Sequence, residues 1–162
     1  MKNTTFLLLG TNLGDRKKNL VMARSSIELR VGAIRNASSI YQTAAWGKSD
    51  QPDFLNLAIE VETELSPKRV LKEILEVETT MGRVRTSKWS ERLIDIDILL
   101  YEGVVISSDE LAIPHPQLPA RRFALVPLAE IAPEFIHPLL HITISDLLER
   151  CSDKLEVTAY HE

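Results

Sequence analysis

The stretch LIDIDILLY, Leu93–Tyr101, constrains the fold more than any other part of the chain. In an extended strand, successive side chains point to opposite faces. Ile94, Ile96, Ile98 and Leu100 then share one face, the core face. Asp95 and Asp97 share the other with Leu93 and Leu99, which makes that face partly enclosed. The two aspartate Cα atoms fall about 6.5 Å apart at about 3.3 Å per residue. Carboxylates that close repel each other and raise one pKa unless a cation lies between them. Oxygen-only donors suit Mg²⁺, and two ions about 3.5–4 Å apart can share such a pair. A solvated face paired with lysines is the competing reading. The segment before the strand weighs against it: RVRTSKWSER carries Arg83, Arg85, Lys88 and Arg92. Metal-binding carboxylates beside guanidinium forks are what a polyphosphate needs.

The rest of the chain places this strand in a sheet. Thr5–Leu9 reads as a first strand, followed by a turn-rich Gly10–Gly14. Asp15 is a helix cap, and Leu20, Ala23 and Ile27 fall at helical spacing over 16–30. Ile34–Thr43 and Phe54–Glu62 read as strands separated by a polar loop, Trp46–Asp53. Ser66-Pro67 starts a second helix, with Leu65 and Val70 as a hydrophobic staple and Gly82 as the stop. Its apolar stripe is Val70, Leu71, Ile74, Leu75 and Met81. After Tyr101, Glu102-Gly103 turns the chain into Val104–Ile106; helices follow over Arg121–Ile131, despite Pro127, and Thr143–Arg150. The order β-α-β-β-α-β predicts one α+β domain over 1–162, a ferredoxin-like antiparallel sheet with helices packed on one face and room for a three-layer α/β/α arrangement.

Composition narrows the function. With 162 residues the chain can bury a sizeable core. A net charge of -4 gives no long-range support for nucleic-acid or membrane binding. Cys151 is the sole cysteine, so neither an internal disulfide nor a thiolate cluster can form. The apolar run Phe6–Leu9 is too short for a signal or membrane segment, and a cytoplasmic protein is expected. Gly10–Gly14 lacks the Lys-Ser/Thr of a Walker A loop. His137 and His141 are interrupted by Pro138, which disfavours a helical zinc face.

Several segments together resemble 6-hydroxymethyl-7,8-dihydropterin pyrophosphokinase of folate biosynthesis. They are LLLGTNLGDR, YQTAAWG, DQPDFLNLAI, GRVR, RLIDIDIL, IPHP and RRFALVPLAEIAP, in the family's order. The resemblance implies a Mg²⁺-dependent enzyme on a ferredoxin-like fold that moves pyrophosphate from ATP to a reduced pterin and releases AMP, acting as a monomer. It implies that Asp95 and Asp97 hold two Mg²⁺ ions and that Arg83 and Arg92 join them in catalysis. Glu78, Arg83, Arg85, Arg92, Ile98, His115 and Arg121 would face ATP. Thr43, Ala44, Trp46, Phe54, Asn56, Trp89 and Phe123 would form the pterin pocket, with Trp46 and Trp89 on loops over it. The residue types agree with these roles: a flat pterin stacks on aromatic rings, and Asn56 offers its edge both a donor and an acceptor. The chain departs from the family at Ser90-Glu91, where Gly-Pro is usual, and at Phe54, Ala44 and Glu110, where tyrosine, proline and a basic residue are common.

Overall fold

The computed structural model describes residues 2–44, 52–82 and 93–161. Strands β1 (Asn3–Thr11), β2 (Gly32–Ala37), β3 (Tyr41–Thr43), β4 (Phe54–Thr63) and β5 (Asp95–Tyr101), together with a terminal β8 (Thr158–Ala159), form one antiparallel sheet. Its order is β5-β1-β4-β3-β8, and β2 also pairs with β4. A hairpin of β6 (Ile106–Ser107) and β7 (Ala112–Ile113) stands apart. Helix α1 (Arg16–Arg30) connects β1 to β2, and α2 (Pro67–Thr80) connects β4 to β5. A single 3-10 turn (Leu118–Ala120) precedes α3 (Arg122–Ile131) and α4 (Ile144–Arg150). The interleaved β-α-β units are those the sequence predicts.

Local chemistry sets the helix ends. Asp15 accepts from the Lys18 amide, and Ser66 accepts from the Arg69 amide with Pro67 opening α2. Gly82, at φ +96°, adopts the left-handed conformation that ends α2 at low cost.

Strand alternation divides the core into two. Leu7 and Leu9 of β1, Leu55, Leu57, Ile59 and Val61 of β4, and Ile96 and Ile98 of β5 meet α1 and α2 in one cluster. Phe6 and Leu8 of β1, Ala58 of β4, and Leu99 and Leu100 of β5 meet α3 and α4 in the other. Helices therefore cover both faces, and the arrangement is the three-layer one rather than the single-sided one.

Three details correct the sequence reading. Leu100 lies on the aspartate side because the β1–β5 register slips, with Phe6 opposite Leu100 and Leu7 opposite Ile98. Leu99 is the extra residue of a β-bulge, which breaks strict alternation. Ile34–Thr43 is two strands, not one. Between them the Ser38 hydroxyl accepts from the Ala58 amide at 3.0 Å and donates to the Ser39 carbonyl at 2.7 Å, competing with the ladder. After the turn at Gly103, the strand is Ile106–Ser107, and it pairs with β7.

Candidate active site

The second face of the sheet is only partly covered. Cross-strand partners share a face, so the register reads out its surface row by row. One row is Asp95, Gly10, Asn56 and Tyr41; the next is Asp97, Leu8 and Ala58; Phe54 and Thr43 form a third. Where the α3–α4 layer stops, Asp95, Gly10, Asn56, Asp97, Leu8, Phe54 and Thr43 of these rows line a cavity of about 900 Å³. Thr43, Ala44, Phe54, Asn56, Glu78, Asp95, Asp97, Arg121 and Phe123 all line it. Nine residues that sequence reasoning assigned to a site thus meet in one space.

Gly10 makes the polar part of this lining possible. A Cβ at Gly10 would lie 3.0 Å from Asn56 Oδ1. The Asn56 amide donates from Nδ2 to Thr43 Oγ1 at 3.1 Å, and both residues are buried. The amide is thereby held at a fixed orientation against the glycine. The segment after Gly10 is pinned as well. Thr11 donates to the Leu93 carbonyl at 2.6 Å, and Asn19 of α1 donates to the Leu13 carbonyl at 2.8 Å. Thr11 thus ties the end of β1 to the residues that lead into the aspartate strand.

The aspartates sit on an edge strand, whose outward amides need partners. Glu78 of α2 supplies one: it is 4% exposed, and its Oε2 accepts from the Ile96 amide at 2.8 Å. That amide lies between Asp95 and Asp97, so the helix carboxylate fixes the backbone carrying both. Asp95 and Asp97 are half-buried and project from alternate positions toward the same cavity. They are hard oxygen donors, Asp95 stands opposite a glycine that adds no bulk, and the cavity has room for a polyanion. This donor set fits magnesium, which takes one or two carboxylates and fills its remaining positions with water and phosphate oxygens.

On the far side, the Arg121 guanidinium lies 5.6 Å from the Phe123 ring centre, a cation–π distance. His115 is not among the residues lining the cavity but is tied to the bulge: its amide donates to the Leu99 carbonyl at 3.0 Å, and its Nδ1 accepts from the Gln117 amide at 3.1 Å. Burial lowers its pKa below the ordinary histidine value, the Asp97 charge opposes that, and the Arg121 charge reinforces it. The Asp97 and Arg121 charges thus act on His115 in opposite directions.

Two assignments from sequence differ from what is observed. The Ile98 side chain is buried in the α1/α2 core and does not line the cavity. Leu75, read as core stripe, lines the cavity instead and is 45% exposed, whereas Leu71 packs against the α1/α2 core as read and also lines the cavity. Glu110 is exposed between β6 and β7. Trp46, Arg83, Arg85, Lys88, Trp89, Ser90, Glu91 and Arg92 lie outside the described residues. The sequence reading missed Gln117, Ala120, Ser152, Asp153 and Leu155, which also line the cavity. Only a strand position opposite Asn56 could have marked Gly10, and no local pattern marks the others.

Comparison with known proteins places the chain in a family. The family model for 7,8-dihydro-6-hydroxymethylpterin-pyrophosphokinase matches residues 6–133. The 2-amino-4-hydroxy-6-hydroxymethyldihydropteridine pyrophosphokinase of Haemophilus influenzae is 38% identical over 151 residues, covering 93% of this chain and 94% of that protein. Its counterpart from Methylorubrum extorquens is 42% identical over 132 residues, covering 81% and 84%. The folic acid synthesis protein FOL1 of Dictyostelium discoideum is 43% identical over 87% of this chain, but the match spans only 21% of its length. Among solved structures, wild-type Plasmodium falciparum HPPK-DHPS with pteroate superposes with a TM-score of 0.75 at 20% identity, over 93% of this chain and 42% of that one, which supports the fold. The chain belongs to the 7,8-dihydro-6-hydroxymethylpterin-pyrophosphokinase family.

Proposed function

We propose that this protein transfers pyrophosphate from ATP to the hydroxymethyl group of 6-hydroxymethyl-7,8-dihydropterin and releases AMP, a step of folate biosynthesis. The observation that carries this reading is the convergence of two kinds of residue on one cavity: the charged Asp95, Asp97 and Arg121, and the aromatic or neutral polar Phe54, Phe123, Asn56 and Thr43. A charged substrate and a flat heteroaromatic one each find matching chemistry there. In this reading Phe54 and Phe123 stack on the pterin, while Asn56 and Thr43 read its edge. Arg121, with Arg83, Arg85 and Arg92 of the basic segment, binds phosphate oxygens.

Asp95 and Asp97 would hold two Mg²⁺ ions, which when bound neutralise charge on the phosphates. The pterin hydroxyl oxygen attacks the β-phosphorus of ATP. The bond from that phosphorus to the oxygen bridging to the α-phosphate breaks, AMP leaves with that oxygen, and the hydroxyl proton is lost. Positioning and preorganised charge supply most of the rate enhancement. Glu78 holds the aspartate strand in register, and Gly10 keeps Asn56 where the pterin edge must dock.

A nucleotidyl transferase is a second reading of paired aspartates on such a sheet, and a non-catalytic ligand-binding module is a third. One assay separates them. The protein is incubated with ATP, Mg²⁺ and hydroxymethyl-dihydropterin, and the products are identified by mass. The proposed reaction gives AMP and a pterin diphosphate. Inorganic pyrophosphate as the product would favour nucleotidyl transfer, and no Mg²⁺-dependent consumption of ATP would favour the binding module.

A further inference from the structure

The carboxy-terminal segment lies beyond the residues matched by the family model, yet it reaches the cavity: Ser152, Asp153 and Leu155 are among the lining residues. The segment is anchored at both ends. Ahead of it, Cys151 is buried with α3 and α4. Behind it, Thr158–Ala159 pairs with Tyr41–Gln42 of β3, and the Tyr160 amide donates to the Ile40 carbonyl at 2.8 Å. The Tyr160 ring also receives the Arg16 guanidinium at 5.7 Å, and Arg16 donates to the Asp53 carbonyl at 2.8 Å, one residue before Phe54.

Asp153 is the joint of this strap. Helix α3 begins after Arg121, whose side chain makes no capping hydrogen bond. The first turn of a helix leaves amides without intrahelical partners, and a carboxylate there is favoured by hydrogen bonding and by the helix dipole. Asp153 meets that need from 31 residues away: its Oδ2 accepts from the Arg122 amide at 3.0 Å, while its Oδ1 accepts from the Leu155 amide at 2.9 Å. One carboxylate thus holds the turn that carries Arg121 and Phe123 and also fixes the backbone of Leu155, which adds an apolar side chain to the same wall.

We infer that the segment Ser152–Leu155 is a working wall of the substrate site, with Asp153 as a positioning residue for Arg121 and Phe123. This rests on the pterin reading of the aromatic part of the cavity. Binding of a fluorescent pterin to the full-length protein, in the presence of Mg²⁺ and a non-hydrolysable ATP analogue, tests it at a temperature well below each variant's melting point. Asp153→Ala should weaken pterin binding about five- to tenfold, the scale of a lost helix cap. Asp153→Asn keeps a capping acceptor and should restore most of that affinity. Leu155→Ala, on a half-buried side chain, should weaken binding two- to threefold by a rough apolar-contact estimate, and it decides the matter if Asp153→Ala does not fold. A purely structural cap would lower the melting temperature and leave pterin affinity unchanged; unchanged affinity in both alanine variants overturns the inference. Wild-type protein that binds no pterin would instead overturn the functional reading on which it rests.

Discussion

The two faces of the central sheet are built from the same strands but end differently. On one face α1 and α2 cover the apolar rows from Val61 to Leu55, and those leucines, isoleucine and valine are at most 1% exposed. On the other, α3 and α4 cover Phe6, Leu8 and Ala58 and then stop, leaving Gly10, Asn56, Phe54, Asp95 and Asp97 to line a cavity. The cavity occupies the part of the open face that the second helical layer does not reach, and at the β5 edge it extends to Leu71, Leu75 and Glu78 of α2. Substitutions on the two faces of the sheet should therefore fail in different ways.

The largest separation is expected at Asp97. Replacing it with alanine removes one of two carboxylates from the open face, and kcat should fall by about 10³-fold or more, the upper range for a single lost electrostatic group. Its melting temperature should stay near that of the wild type. Near-normal turnover at saturating Mg²⁺ would sink the assignment of Asp97 as a metal ligand. Its counterpart is Leu57→Ala on the closed face, where the side chain is 1% exposed. That change should cost about 2–5 kcal/mol in a denaturant titration, with kcat preserved in the folded fraction. If Leu57→Ala alters kcat as strongly as stability, the two faces are coupled more tightly than their separate cores suggest.

A smaller effect is expected at Gly10, where the two kinds of residue touch. The added methyl of Gly10→Ala would sit 3.0 Å from Asn56 Oδ1 and must displace that amide. The Michaelis constant for the pterin should rise about tenfold, as for one misplaced hydrogen-bonding group of 1–1.5 kcal/mol. The constant for ATP should change little. Equal changes in both would mean that Asn56 does not read the pterin edge.

Much of this contrast was legible in the sequence because strand alternation is local. The pattern of Ile94, Asp95, Ile96 and Asp97 is enough to assign two faces, and Asp15 and Ser66 mark their helices by capping chemistry alone. Alternation failed at Leu99, because a bulge depends on which residue of β1 stands opposite, and that information lies about 90 residues away. The same limit hid Asp153, whose partner amide belongs to Arg122. Leu75 was misread because an apolar stripe on a helix looks alike whether it meets core or cavity. The pterin assignment came from seven segments in a known order, and no single one of them would have sufficed.

The smallest effect should appear in the layer that half-covers the open face. His137 lies between α3 and α4; its Nδ1 accepts from the Leu139 amide at 3.2 Å and the Leu140 amide at 3.1 Å. Burial, and then the neighbouring His141, lower its pKa below the ordinary 6.5. The folded state therefore prefers the neutral ring, whereas the unfolded chain binds a proton more readily. The stabilisation is complete above the unfolded value and is lost as pH falls below about 6.5 through the lowered folded value. His137→Asn places an amide oxygen close to where Nδ1 accepts, but it does not titrate. Its melting temperature should decline less than that of the wild type between pH 7 and pH 5. Parallel declines would show that acid acts elsewhere. Hydrogen exchange should locate the wild-type loss in α3 and α4, with α1 and α2 protected, because the titrating ring belongs to the layer over the open face.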